Sequence, residues 1–210
     1  MALHGIYGIL PSGCSTAQLL ALAEAALKGG VRILQYRDKK AGYRKGLKRA
    51  RALRALTHAY GATLLINDSV QMAIEAEADG VHLGRDELTS IARIRSEPGA
   101  ETLLIGVTCR ADAMLARQVL NEGADYVSFG AIWPTKSKPE VPPIGLPRLA
   151  KARQMFPQAT ICAIGGVTLD RLPQVRMAGA DCAAVISGLF AADDVEAMAR
   201  RMVACWEQGR

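Results

Sequence analysis

An alternation of short apolar runs with helix-forming segments constrains the fold of this chain more than any other feature. The runs are too short for helices, and most are rich in β-branched residues, which favours strands. Eight of them occur, at 5–10 (GIYGIL), 31–37 (VRILQYR), 62–68 (ATLLIND), 80–84 (GVHLG), 103–109 (LLIGVTC), 126–132 (YVSFGAI), 160–166 (TICAIGG) and 182–188 (CAAVISG). The sequence therefore predicts a strand at each of these positions.

The segments between the runs have helical composition. Residues 16–30, 69–80 and 111–125 are rich in Ala or in charged residues, and several segments end in a helix-terminating Gly. Strands that are apolar throughout are buried on both faces, as in a parallel sheet covered by helices. The pattern predicts an α/β fold, a single (β/α)8 TIM barrel, with a doubly wound open sheet as the alternative. Because no linker divides the chain, we expect one domain over residues 1–210, ending in an outer helix within 195–208.

Composition and charge limit the class of function. Hydrophobic residues make up 50% of the chain, which is enough for a sizeable core. The formal net charge is +6, and much of it lies in residues 37–54, where Leu47, Ala50 and Leu53 recur at helical spacing. We interpret this segment as a helix with a solvated basic face. Aromatic residues that stack on bases are scarce there, so we expect no nucleic-acid partner, and the charge favours anionic substrates.

The cysteines and the N-terminal residues bear on location. The five cysteines form no CxxC pair and no metal-ligand spacing with the three histidines, which indicates reduced thiols. Residues 1–13 lack the charged-then-apolar order of a signal peptide, and no apolar run approaches the roughly 20 residues of a membrane helix. We therefore expect a soluble cytoplasmic protein with no membrane partner.

Polar residues end the second predicted strand, and in a TIM barrel the carboxyl ends of the strands carry the function. The run continues as Gln35-Tyr36-Arg37-Asp38-Lys39, and alternate side chains of an extended segment point the same way. Gln35, Arg37 and Lys39 are therefore predicted to form a polar, doubly cationic wall. The alternative is that Arg37 and Lys39 begin a basic surface loop.

Carboxylates follow the third and fourth predicted strands. Asn67, Asp68 and Ser69 follow the third, and Asp86 and Glu87 follow the fourth. Two carboxylates beside cations suit Mg²⁺, which takes oxygen ligands and usually keeps waters and substrate phosphates. The alternative is structural, with Asp68 or Ser69 capping the next helix and Asp86 and Glu87 in a first helical turn.

Glycine-rich turns follow the seventh and eighth predicted strands, at 164–168 (IGGVT) and 185–188 (VISG). Glycines let a phosphate approach backbone amides, and the start of a helix adds about half a positive charge. Phosphate sites in barrels frequently follow these two strands. The turns predict a phosphate site, with simple turn chemistry as the alternative.

These motifs together resemble those of the thiamine phosphate synthase family over nearly the whole chain. Each is modest by itself, but their order and spacing are specific. The matching motifs are QYRDK (35–39), ND (67–68), GVHLG (80–84), GVT (106–108), PTKSK (134–138), AIGGVT (163–168) and AVIS (184–187). The resemblance implies a TIM-barrel transferase of thiamine biosynthesis that joins a pyrimidine methyl diphosphate to a thiazole phosphate, with Mg²⁺, and releases diphosphate.

The resemblance also implies a role for each candidate residue. The residues implied to bind the pyrimidine diphosphate are Gln35, Arg37, Lys39, Asn67, Thr108 and Lys138, of which Arg37, Lys39, Thr108 and Lys138 assist catalysis. Those implied to bind the thiazole phosphate are Thr135, Ser137, Gly166, Ile186 and Ser187, and those implied to bind the metal are Asp68 and Glu87. The implied chemistry is dissociative: diphosphate leaves, the aminopyrimidine stabilises the methylene cation, and the thiazole nitrogen captures it.

Three residues depart from the family pattern. Glu87 stands where members usually have aspartate, and Asp86 precedes it, so which carboxylate completes the metal site is open. Thr108 stands where members usually have serine, and Ser137 where they usually have threonine. Both positions therefore keep a hydroxyl group.

Two further residues raise alternatives. We expect His82 to be a core residue, but related thiazole tautomerases use a histidine in proton transfer, which makes a tautomerase the second hypothesis. That reaction needs no diphosphate site, so the residues implied to bind one argue against it. A phosphate-binding protein without catalysis is the third hypothesis. Cys109 has no identifiable partner base, and we expect it to be a small apolar filler. Whether the chain forms a homo-oligomer stays open.

Overall fold

The predicted alternation of strands and helices closes into a barrel. The structure is a computed structural model and describes residues 3–85, 88, 90–135 and 142–208. Its strands are β1 (Gly5–Ile9), β2 (Ile33–Tyr36), β3 (Thr63–Asn67), β4 (Gly80–Leu83), β5 (Leu104–Arg110), β6 (Tyr126–Gly130), β7 (Thr160–Ile164) and β8 (Cys182–Val185). They pair in parallel in chain order, and β8 returns to pair with β1. The predicted (β/α)8 barrel is confirmed, and the open sheet is wrong.

Helices connect the strands on the outside of the barrel. In the described ranges they are α1 (Thr16–Lys28), α2 (Tyr43–Ala59), α3 (Val70–Glu75), α4 (Ile91–Arg95), α5 (Ala113–Asn121), α6 (Gly145–Met155), α7 (Leu172–Met177), α8 (Ser187–Phe190) and α9 (Val195–Glu207), with a short 3-10 helix at Leu169–Arg171. Side chains of Ser15, Ser69 and Asp112 accept hydrogen bonds from backbone N–H groups at the starts of α1, α3 and α5. These caps satisfy amides that have no partner within the helix.

Two apolar layers result from the alternation of side chains along each strand. The outer layer packs the strands against the helices and includes Leu34, Leu64, Val81, Ile105, Val127 and Ile161. The inner layer fills the barrel and includes Tyr7, Ile33, Leu65, Tyr126, Cys162 and Cys182. Toward the carboxyl ends of the strands the interior becomes polar, because Gln35, His82 and Ser128 are buried there.

The basic segment that contains α2 is only partly a solvated face. Leu53 faces the core as predicted, but Arg49 is also buried, at 3% exposure. Its guanidinium donates to Asp38 Oδ2 (2.8 Å), to Thr16 Oγ1 (3.0 Å) and to the Cys14 carbonyl oxygen (2.7 Å). A buried charge needs a partner and hydrogen bonds, and Arg49 has both. It therefore ties the loop after β2 to α2 and to the start of α1.

Disulfides and membrane-spanning helices are both missing from the described part of the chain. Each of the five cysteines has a free thiol. Among the helices given above, none is long and apolar enough to cross a bilayer.

Candidate active site

A cavity of about 390 Å³ lies at the carboxyl ends of the strands. It is lined by strand ends and by the loops that follow them, the position expected of a barrel site. Eight predicted site residues line it: Gln35, Arg37, Asn67, Thr108, Thr135, Gly166, Ile186 and Ser187. Closure of the barrel thus brings residues implied to bind two different substrates around one space.

Lys39 and Asp68 line a neighbouring cavity of about 310 Å³. Lys39 Nζ lies 3.0 Å from Asp68 Oδ2, and Asn67 lines both cavities. Asn67 Nδ2 donates to Asp68 Oδ2 (2.6 Å), and the Gly84 N–H donates to Asp68 Oδ1 (3.1 Å). The three residues of the predicted wall are therefore not all at one site. Gln35 and Arg37 line the main cavity, whereas Lys39 pairs with Asp68 in the neighbouring one.

Asp68 offers carboxylate oxygens beside the main cavity, and Asn67 adds an amide oxygen. Mg²⁺ needs one or two protein carboxylates when waters and substrate phosphates complete its octahedron, so this donor set fits it. Within the described residues, no group of three or more His, Cys, Asp or Glu side chains could hold a metal. The other candidate ligands, Asp86 and Glu87, lie outside the described residues, as do Ser137 and Lys138. Their roles stay predictions.

The glycine turn after β7 packs tightly against the loop after β6. Gly165 and Gly166 have φ angles of 95° and 67°, in the left-handed region that favours glycine. A Cβ atom on Gly165 would lie 2.4 Å from Ala131 Cβ, and one on Gly166 would lie 2.7 Å from Trp133 Cβ. Because packing alone requires both glycines, they do not distinguish a phosphate site from ordinary turn chemistry.

Two arginines that no motif indicated also line the main cavity. Arg171 Cζ lies 4.8 Å from the centroid of the Trp133 ring, and its Nη1 donates to the Gly166 carbonyl oxygen (2.6 Å). Arg110 ends β5 after an irregularity in its pairing with β6, and its φ angle is 54°. Bulges beside active sites re-aim side chains, and a strained backbone persists where the surroundings hold it. With Arg37, three guanidinium groups surround the cavity, which suits an anionic ligand.

A chain of hydrogen bonds crosses the barrel interior beneath the main cavity. Its links join Gln35 Nε2 to the Tyr7 hydroxyl, Tyr7 to the Tyr126 hydroxyl (3.1 Å), Tyr126 to His82 Nδ1 (2.7 Å), and His82 Nε2 to Thr108 Oγ1 (2.8 Å). Burial raises the pKa of both tyrosine hydroxyls far above the ordinary value, so both are neutral. Gly106 makes room for the chain, because a Cβ atom there would lie 2.0 Å from Tyr126 Cζ.

His82 and Cys109, the two residues weighed above for a direct chemical role, are both buried. His82 is 8% exposed, and both of its ring nitrogens are within hydrogen-bond distance of hydroxyl groups. Its expected place in the core is confirmed, although one edge lines the cavity. Cys109 is 1% exposed, and burial raises the pKa of its thiol to about 12. A thiol that stays protonated is a poor nucleophile, so its expected role as a filler is confirmed.

The closed parallel barrel, with three arginines around a cavity at the carboxyl ends of its strands, defines a (β/α)8 protein whose site suits an anionic small molecule. A family model described as thiamine monophosphate synthase matches residues 6–189, and the chain belongs to that family. The thiamine-phosphate synthase of Thioalkalivibrio sulfidiphilus is 43% identical over 98% of this chain and 96% of the relative. That of Chromobacterium violaceum is 44% identical over 95% of this chain and 94% of the relative. The solved thiamine phosphate pyrophosphorylase from Pyrococcus furiosus has a TM-score of 0.85 at 29% identity, covering 97% of this chain and 96% of that chain.

Proposed function

We propose that this protein is a thiamine-phosphate synthase, a transferase that joins a pyrimidine methyl diphosphate to a hydroxyethylthiazole phosphate and releases diphosphate. One observation carries the proposal: apart from Lys39, the described residues implied to bind each substrate line the same cavity, between three guanidinium groups. Similarity over nearly the full length to synthases of this name supports it.

The pyrimidine diphosphate occupies the side of the cavity formed by β2, β3 and β5. Gln35 is 1% exposed and lies at the floor, where an aromatic ring is shielded from water. Arg37, Asn67 and Thr108 line the same side and bind the diphosphate, together with Lys138. Arg110 adds a second guanidinium at the end of β5, so the leaving group is held by donors from three strands.

The thiazole phosphate occupies the opposite side, against the ends of β6, β7 and β8. Its phosphate binds the hydroxyls of Thr135 and Ser137 and the backbone at Gly166, Ile186 and Ser187. Arg171 supports this end of the cavity, because its guanidinium fixes the Gly166 carbonyl and leaves positive charge beside the phosphate. Both anions therefore bind at the rim, with their rings facing each other.

The reaction is dissociative and needs no protein nucleophile. Guanidinium and ammonium groups bind the departing diphosphate more tightly as its charge grows, and each 1.36 kcal/mol of such preference gives roughly tenfold in rate. The protonated Cys109 and the hydrogen-bonded His82 are consistent with a site that lacks a covalent catalyst. The walls align the thiazole nitrogen with the cation and keep water away from it.

Asp68, completed by Glu87 or Asp86, holds Mg²⁺ in this proposal. The metal, when bound, neutralises charge on the diphosphate. Lys39, whose Nζ lies 3.0 Å from Asp68 Oδ2, adds positive charge for the diphosphate from the neighbouring cavity. We further propose a single domain over residues 1–210 and a cytoplasmic location, which the free thiols of the five cysteines support.

One assay separates the three hypotheses. Purified protein is mixed with Mg²⁺, pyrimidine diphosphate and thiazole phosphate, and thiamine phosphate and diphosphate are quantified, with mixtures lacking one substrate or containing a chelator as controls. Equal amounts of both products support the synthase. Conversion of a thiazole phosphate tautomer without pyrimidine would support the tautomerase, and binding of both substrates without product would support the binding protein.

A further inference from the structure

The hydrogen-bond chain beneath the cavity has one direction that is consistent with the orientation of its first member. Each tyrosine hydroxyl has one hydrogen, and a neutral imidazole has one N–H. Because Gln35 Nε2 donates to Tyr7, the Tyr7 hydrogen is left for Tyr126, and the Tyr126 hydrogen for His82 Nδ1. His82 then carries its hydrogen on Nε2 and donates it to Thr108. Reversing a single link would leave a buried hydrogen without an acceptor, which is costly.

Both ends of this chain line the cavity. The Gln35 amide oxygen accepts no hydrogen bond among the described residues, so it is available to a ligand. Thr108 Oγ1 accepts from His82 Nε2 and also from Ser128 Oγ (3.4 Å), which leaves its own hydrogen for the cavity. The chain therefore presents an acceptor at one end of the floor and a donor at the other.

We propose that Tyr7 is a positioning residue that fixes the direction of this chain, so that Gln35 presents its amide oxygen and Thr108 its hydroxyl hydrogen to the substrate. Tyr7 is 1% exposed and acts through Gln35 rather than by contact. The identity of the ligand rests on the proposed function. The exocyclic amino group of the pyrimidine donates to Gln35, and the Thr108 hydroxyl donates to an oxygen of the departing diphosphate.

The Tyr7 hydroxyl, rather than its ring, carries this role. The ring packs with Ile33 and Leu65 in the inner apolar layer, and phenylalanine would fill the same space. Without the hydroxyl, the Gln35 amide loses its acceptor and can rotate so that its NH₂ group faces the cavity. Two donors would then face each other at the pyrimidine amino group. Tyr7→Phe is therefore expected to weaken the preference for the amino pyrimidine, whereas a purely structural role would lower stability alone.

The direction of the chain can be measured without any substrate. The protein has three histidines, so ¹⁵N labelling of histidine gives three pairs of ring signals, and His82→Gln assigns the pair of interest. We expect the hydrogen of His82 on Nε2 in the unliganded protein. A hydrogen on Nδ1 would mean that the chain runs the opposite way, and it would overturn the proposal.

Ligand preference tests the role of Tyr7 itself. Dissociation constants are measured for the 4-aminopyrimidine methyl diphosphate and its 4-oxo counterpart, without thiazole phosphate. We expect Tyr7→Phe to reduce the preference for the amino compound by about tenfold or more, the size expected when a buried hydrogen-bond partner is lost. Tyr60→Phe is the matched control, because the Tyr60 hydroxyl lies 3.4 Å from Glu24 in the outer layer, and its preference should equal that of the unchanged protein.

An unchanged preference in folded Tyr7→Phe protein would refute the positioning role. Failure of the unchanged protein to bind either pyrimidine would instead refute the proposed function. The His82 tautomer would still decide the direction of the chain in that case, and it also decides if Tyr7→Phe does not fold.

Discussion

The buried ion pair between Asp38 and Arg49 gives a sharp prediction about the loop after β2. The two side chains are 5% and 3% exposed, and Arg49 Nη1 lies 2.8 Å from Asp38 Oδ2. Asp38→Ala leaves the guanidinium buried with neutral partners only, the hydroxyl of Thr16 and the carbonyl of Cys14. Breaking a buried pair by removing one partner costs about 3–5 kcal/mol, so we expect the free energy of unfolding to fall by that amount.

A double-mutant cycle tests the physical reason for this loss. In Arg49→Met, Asp38 Oδ1 still accepts the Lys40 N–H (3.1 Å). Removing both charges avoids an unpaired one, so Asp38→Ala with Arg49→Met should cost at least about 1 kcal/mol less than the sum of the single changes. Equilibrium unfolding in urea, followed by circular dichroism, measures each value.

Glu196→Ala is the matched control for the cycle. It breaks the pair between Glu196, which is 40% exposed, and Arg200, which is 69% exposed. The free energy of unfolding should fall by less than about 1 kcal/mol. Two results would refute the reasoning: a loss below about 1 kcal/mol for Asp38→Ala, or strictly additive single changes.

Three further predictions concern β5 and the helix that follows it. Arg110→Ala should lower kcat/KM for the pyrimidine diphosphate by about tenfold while leaving the KM for thiazole phosphate unchanged. Arg93→Ala, at an exposed position, is the control, and equal effects in the two variants would contradict a role of Arg110 at the cavity. Gly106→Ala should cost about 1–3 kcal/mol in urea unfolding, since the new methyl group overlaps the Tyr126 ring, and an unchanged midpoint would refute this. The Leu115 N–H and Arg85 lower the pKa of Asp112, so its contribution to stability is full above the ordinary value of 3.8 and lost as pH falls through the folded value. Asp112→Asn should therefore lose less stability than the unchanged protein between about pH 5 and about pH 2, and parallel acid-unfolding curves would argue against it.

The barrel could be predicted from the sequence because parallel strands covered by helices are apolar on both faces. β8, for example, is buried at every position, whereas an antiparallel strand with one face in water would alternate buried and exposed positions. The same logic located residues of the cavity, since a polar residue near the end of such a run must lie toward the carboxyl end of the barrel. Arg37, Asn67 and Thr108 line the cavity for this reason.

The remaining features depend on geometry that the sequence does not encode locally. Arg110 faces the cavity through an irregularity in strand pairing, and a basic residue one position after GVTC was its only signal. Arg49 carries the same charge as its neighbours on α2, but the helix rotation that buries it depends on packing against α1. Nothing in the sequence around Tyr7 and Tyr126 distinguishes them from ordinary core residues, and only the closed barrel brings their hydroxyls together.

The packed floor under the cavity has a consequence for the order of events. Within the described residues, Tyr7, Leu65 and Tyr126 fill the barrel below Gln35, so molecules enter and leave through the mouth above the strand ends. A pyrimidine ring that contacts Gln35 binds deeper than the thiazole, and a thiazole already bound at the rim would block its entry. We therefore expect a compulsory order of binding, in which the pyrimidine diphosphate binds first and the thiazole phosphate then covers it.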